Sequence, residues 1–156
     1  MIRPHNSELN REAVFEQLKV DEGVEYEIYK DHLGYLTFGV GHLVTPTDPE
    51  HGQDEGTSIS EERVWEAFET DLDVSINECK RLYQSDWDNF PGEIQEILCN
   101  MMFNMGRPRL SQFKKMNQAL AMGQWQVAAH EGRDSRWYNQ VTNRAERLMV
   151  RMESVG

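Results

Sequence analysis

A chain of 156 residues suits one compact unit, with room for two lobes and a real hydrophobic core. Its 27 acidic and 16 basic side chains give a net charge of −11, a poor balance for neutralising nucleic-acid phosphates. No apolar run approaches the ~20 residues of a membrane-spanning helix, so membrane insertion is not expected.

The charge is unevenly placed. Residues 1–90 carry 7 basic and 21 acidic side chains, residues 91–156 carry 9 and 6, so the two parts are expected to form separate surfaces. Met1–Ser7 contains no apolar h-region, which predicts synthesis in a cytoplasm without a signal peptide. The pattern then gives a helix over about Asn10–Glu22, with Asn10 as N-cap and Gly23 as its stop. Phe15, Leu18 and Glu22 share one face.

From Tyr26 the pattern turns β-like. Tyr26–Asp31 and Tyr35–Val40 read as two strands of a hairpin around the turn His32-Leu33-Gly34. Gly39 and Gly41 suggest a bend or a close backbone approach. Residues 44–58, rich in Thr, Pro, Asp and Gly, read as a surface loop. A long helix follows over about 60–83. Ser60 is its N-cap, Ile59 and Val64 form a hydrophobic staple, and Val64, Phe68, Leu72, Ile76 and Cys79 make its apolar stripe.

Pro91 opens a helix that runs to Gly106 and is apolar over most of its girth, the mark of a buried central helix. Further helices are expected at about Ser111–Met122, Gln124–His130 and Asn143–Met152. With strands confined to the first third, the class is α+β, mostly helical. Cys79 and Cys99 both fall on helices and read as free buried thiols. No Cys/His spacing suggests a metal site, and no cofactor is expected.

The chemistry-bearing residues are Glu22, Asp31 and Thr37, spaced Glu, eight residues, Asp, five residues, Thr. Glu22 sits at the C-terminal end of a helix on its apolar face. Burial and the negative end of the helix dipole both favour the protonated carboxyl that a general acid requires. Asp31, at a strand end beside a polar turn, is expected to stay ionised, and Thr37 supplies a hydroxyl that could hold a water. Two carboxyls in contrasting environments are the recurring arrangement for cleaving glycosides. Each residue alone is commonplace, and a helix-end Glu can equally be an ion-paired structural residue.

The string itself says more. Asp21-Glu22-Gly23, Ile28-Tyr29-Lys30-Asp31, Gly34-Tyr35, Thr37, Gly39 and Gly41-His42-Leu43 resemble the active-site region of bacteriophage lysozymes of the T-even type. Ser135-Arg136-Trp137-Tyr138-Asn139-Gln140, Asn143-Arg144-Ala145 and the stretch from Asn100 to Gly106 resemble the same family further along. The resemblance runs from about Phe15 to the C-terminal helix.

It implies a lysozyme-like two-lobed fold in one domain spanning 1–156. The small β-containing lobe would cover about 24–59, the helical lobe about 1–23 plus 84–156, and a connecting helix about 60–83. It also implies hydrolysis of the β-1,4 bond between N-acetylmuramic acid and N-acetylglucosamine in bacterial peptidoglycan, for host lysis or wall penetration. Glu22 would be the acid, and Asp31 with Thr37 would position the attacking water. The family is regarded as inverting, which implies carboxyls about 6.5–9.5 Å apart.

By the same resemblance His42 would pair with Asp71, and Arg144 would stand beside the catalytic Glu. Leu43, Phe103 and Asn104 would contact sugar, although Leu43 and Phe103 could equally be ordinary core residues. Two further sugar-contacting polar positions of the family appear here as Met116 and Glu131. The partner would be peptidoglycan, reached by a monomer that either depends on a holin or is tethered to a larger particle. The alternatives are a non-catalytic wall-binding or virion-associated module and a lytic transglycosylase.

Overall fold

The computed structural model describes residues 8–156, and the reading of Met1–Ser7 lies outside them. The protein is α+β and mostly helical, with one helix, three short strands and then helices to the end. It divides into two compact units, one of Glu12–Val74 and one of Ser75–Gly156 together with residues 8–11.

In the first unit, helix α1 (Arg11–Glu22) buries Val14 and Leu18, one turn apart. Gly23 ends it in a left-handed conformation (φ 82°), which only glycine adopts without penalty, and its N–H donates to the Lys19 carbonyl at 3.0 Å. Phe15 meets Trp65 edge-on, with ring centroids 4.9 Å apart, and lies 4.8 Å from Phe68. These ring contacts pack α1 against residues of the long helix that follows the strands.

Strands β1 (Glu25–Lys30), β2 (Leu36–Gly39) and β3 (His42–Leu43) form an antiparallel sheet in that order. Tyr29 pairs with Thr37, Thr37 with Leu43 and Phe38 with His42. Strand β3 goes beyond the expected hairpin, because two residues are too few to show an alternating pattern. The other edge of β1 is covered by residues 56–59. Ile28 N–H donates to the Thr57 carbonyl, Gly56 N–H to the Ile28 carbonyl and Ile59 N–H to the Tyr26 carbonyl, which leaves less of that edge open to stray pairing. A Cβ on Gly39 would stand 3.2 Å from Val64 Cγ1, so glycine is what lets β2 lie directly on the long helix.

That helix, α2 (Glu61–Tyr83), begins where expected: Ser60 Oγ accepts the Arg63 N–H at 3.0 Å, and Ile59 and Val64 are both buried. It passes from the first unit into the second at Val74–Ser75.

The second unit contains α3 (Asp86–Asn89), α4 (Gly92–Leu110), α5 (Lys114–Ala121), α6 (Trp125–Arg133), α7 (Arg136–Gln140) and α8 (Thr142–Glu153). Helix α4 is buried around most of its girth. Its regular course breaks at Gly106 (φ 80°, ψ 165°), and one more turn containing Pro108 follows. Helix α5 starts three residues after the expected Ser111, because residues 111–113 first close a turn on Leu110 and Arg109. Helix α7 is too short for its periodicity to register. Its signal is the cap, Ser135 Oγ accepting the Tyr138 N–H at 3.1 Å. Cys79 and Cys99 are free and buried. A hydrogen bond with Cys79 and burial both push the Cys99 thiol well above its ordinary range. Among the described residues, no helix is long and apolar enough to cross a membrane.

Candidate active site

Asp31 follows the last residue of β1 and opens the hairpin turn. Its backbone N–H donates to the Tyr35 carbonyl, and its carbonyl accepts the Gly34 N–H, both at 2.9 Å. The side chain turns back over the same loop, where Oδ1 accepts the N–H groups of Leu33 and Tyr35, both at 2.9 Å. This is the local bond that suits aspartate to turns. Among the described residues no hydrogen bond reaches Oδ2. The carboxylate is therefore fixed in orientation by one oxygen and has the other available.

Thr37, in the middle of the central strand, is buried. Its hydroxyl donates to the Tyr35 carbonyl at 3.0 Å, so its proton is committed and its lone pairs are not. Cross-strand partners share a face of the sheet, which puts Thr37 on the same face as Tyr29 and Leu43.

Glu22 is the last residue of α1 and is exposed. The helical period does align it with the buried Leu18, but the chain leaves the helix at Gly23, one residue later. The burial expected from its place on the apolar stripe is thus absent. Tyr29, on β1, is half-buried. Burial first, and then the charges of Glu25, Asp31 and Glu22, push its phenol above the ordinary 10.0. One side chain on the hairpin therefore feels both Glu22 and Asp31, and sequence reasoning assigned it no role.

Beneath the opposite face of the sheet lies a charged network. His42 is buried, with Nδ1 2.7 Å from Asp71 Oδ2 on α2 and Nε2 2.9 Å from Asp48 Oδ2 in the loop. The His42–Asp71 contact is the one the resemblance implies, and the Asp48 contact comes in addition. Asp48 Oδ2 also accepts from the backbone N–H and hydroxyl of Thr45 at 2.8 and 3.0 Å. Arg63 donates to Asp48 Oδ1 at 3.2 Å and to both oxygens of the buried Glu50 at 2.8 and 3.0 Å. The stretch 44–58, which composition marks only as a surface loop, is thereby fastened to α2. The available signal was a single arginine within reach of several loop carboxylates.

Leu43 is 49% exposed, which removes the core-packing reading for it. In the second unit, Phe103 is half-buried on α4. Asn104 Oδ1 accepts the indole N–H of Trp137 at 2.8 Å, so part of its role is to hold that ring. Arg144 is buried and donates from Nε to Asn100 Oδ1 at 2.9 Å and from a terminal nitrogen to the Asn100 carbonyl at 3.3 Å. Met116 is buried on α5 and Glu131 is half-buried on α6. No cluster of three or more metal-ligating side chains occurs among the described residues.

The chain is 29% identical to probable T4-type lysozyme 2 of Dictyostelium discoideum, across 89% of this chain and 92% of that protein. It is 29% identical to the pre-baseplate central spike protein Gp5 of Enterobacteria phage T4, across 88% of this chain but 27% of the relative. It is 30% identical to peptidoglycan hydrolase gp36 of Pseudomonas phage phiKMV, across 84% of this chain and 14% of that protein. The sequence profile of phage lysozymes matches residues 19–153, which takes in the hairpin, the long helix and nearly all of the helical unit, and the chain belongs to that family.

Proposed function

We propose that this protein is a peptidoglycan-degrading glycosidase that hydrolyses the β-1,4 bond between N-acetylmuramic acid and N-acetylglucosamine. Glu22 serves as the acid, and Asp31 with Thr37 holds the attacking water. Membership of the phage lysozyme family supports the reaction class. The observation that supports the residue assignment is the turn at Asp31, where Oδ1 is held by the Leu33 and Tyr35 N–H groups while no hydrogen bond reaches Oδ2 among the described residues.

In this reading each group has a distinct task. Glu22 delivers a proton to the glycosidic oxygen as the bond to the anomeric carbon breaks. A water on the other side donates one hydrogen to Asp31 Oδ2, the oxygen that the turn leaves available. It donates the second to Thr37 Oγ1, whose own proton is already given to the Tyr35 carbonyl. With both hydrogens engaged, the water's lone pair faces the anomeric carbon. Asp31 takes up the water proton as the new C–O bond forms, and Glu22 ends ionised. Inversion follows from this division of labour.

Clearing of permeabilised bacteria by the full chain, compared with Glu22→Gln, tests the reading. The variant is expected to lose clearing while keeping its fold, and equal clearing by both proteins removes the acid role. Only 1,6-anhydro ends among the products would indicate a transglycosylase and take Asp31 out of the mechanism.

A further inference from the structure

Cys79 and Cys99 are the two cysteines of the chain, and the reaction proposed above uses neither. Cys79 lies on α2 and Cys99 on α4, both within the same compact unit, Ser75–Gly156. Both residues are fully buried, at 0% exposure, and their thiols are hydrogen-bonded to each other. Beside this contact Arg107 of α4 donates to Glu78, the chain neighbour of Cys79, so the two helices are also joined by an ion pair. A single buried cysteine is an ordinary small core residue. Two that meet across helices are a different case, because their sulfurs need only move from hydrogen-bond contact to the ~2.05 Å of a covalent bond.

The segment between them gives such a bond a consequence. Residues 80–98 carry the chain from α2 through α3 into α4, around the ring contacts of Tyr83, Trp87 and Phe90. A bond from Cys79 to Cys99 closes this corner into a loop and removes conformations from the unfolded chain, which raises stability. With two cysteines there is one intramolecular pairing and no competing one. Burial also decides when the bond can form. The thiolate is the nucleophile of disulfide exchange. Contact with Cys79, burial and the nearby Glu96 hold the Cys99 thiol protonated, against the charge of Arg11. No disulfide reagent reaches a sulfur that has no exposed surface, so exchange belongs to the open chain.

We propose that Cys79 and Cys99 form a redox site that takes an external disulfide as its oxidant while the chain folds, and that the closed core then keeps whichever state it was given. One cysteine thiolate attacks the external disulfide, forming a mixed disulfide, and the displaced sulfur takes up a proton to leave as a thiol. The second cysteine thiolate attacks the cysteine sulfur of that mixed disulfide and displaces the second thiol. In sum the two cysteines lose two electrons and two protons and become one Cys79–Cys99 disulfide, while the oxidant is reduced to two thiols. A chain folded among thiols keeps the dithiol form, and one folded among disulfides is stapled between α2 and α4. The site is independent of any chemistry at Glu22, Asp31 and Thr37.

The test refolds the full chain from urea, either with reduced glutathione alone or with a mixture of oxidised and reduced glutathione. The second product is expected to be a monomer lighter by two hydrogens, inert to a thiol-alkylating reagent in denaturant, and melting about 5–10 °C above the first. Cys79→Ala/Cys99→Ala, refolded both ways, is expected to melt at one temperature, and the mass and thiol readouts on wild type decide the matter whatever that variant's stability. Folded dithiol protein held with oxidised glutathione in buffer is expected to stay reduced, and to crosslink once urea is raised to its unfolding midpoint, an arm that needs no refolding. Free thiols after refolding with oxidised glutathione, glutathione adducts or covalent dimers in place of the internal bond, or a crosslinked form that melts no higher than the dithiol form overturns the proposal. Crosslinking of the folded protein as fast as of the unfolded chain overturns it as well.

Discussion

His42 Nδ1 lies 2.7 Å from Asp71 Oδ2, joining β3 to the long helix, while its other ring nitrogen is 2.9 Å from Asp48. An imidazole between two carboxylates favours the charged form. The hydrogen bond that His42 donates to Asp71 leads, burial opposes it and Asp48 adds to it, so His42 is held above its ordinary 6.5. A group whose folded pKa is raised stabilises the fold fully below its unfolded value, and that contribution disappears as pH climbs through the folded value. Asp48 works in the opposite sense. Burial opposes its charge, but the Thr45 N–H and His42 outweigh burial and hold it below its ordinary 3.8, so its contribution is lost as pH falls through that lowered value. Thermal melts of wild type and His42→Gln over pH 4–9 check this. Wild type should lose stability on going alkaline from about pH 6.5, with the variant about 1–3 kcal/mol less stable at pH 6 and nearly flat above it. Parallel curves for the two proteins would contradict the assignment.

Among the described residues Arg63 is the only cation paired with Glu50, which is 6% exposed. Arg63→Met leaves a buried carboxylate unanswered and should cost about 2–4 kcal/mol. Adding Glu50→Gln should return part of that loss, since the amide needs no counter-charge. Hydrogen exchange should quicken at amides of residues 45–57 in the single variant, with helices of the second unit unaffected. Unchanged exchange in the loop would mean that the clamp does not fasten it.

Asp31 carries two separable duties. Oδ1 holds the turn through Leu33 and Tyr35, and Oδ2 is proposed to take the water proton. Asp31→Asn retains an acceptor for the turn but no base, so it should melt close to wild type and lose about 10²–10⁴-fold in turnover. Asp31→Ala loses both and should melt lower as well, by about 1 kcal/mol in stability. Calorimetry alongside clearing rates distinguishes them. Equal melting of the two variants would show that the turn does not depend on Oδ1.

Local signals carried far along this chain. Gly23 announced the end of α1, Ser60 the start of α2, and the alternation around His32-Leu33-Gly34 the hairpin, because each is decided by residues a few positions apart. The same locality explains what escaped. Periodicity aligned Glu22 with Leu18, but whether anything covers a helix end depends on distant chain, and Glu22 is exposed. The Arg63 clamp joins residues thirteen and fifteen positions apart, a spacing with no helical or strand meaning. Strand β3 and helix α7 are too short to have a period. The spacing of Glu22, Asp31 and Thr37 was legible only as a resemblance.

The most direct measurement follows the products of purified glycan strands by NMR during the first turnovers of wild type, Glu22→Gln and Asp31→Asn. The account predicts new reducing ends released with inverted configuration by wild type, and neither variant releasing them while both remain folded. Reducing ends formed with retention, or product formed at the wild-type rate by either variant, would contradict it.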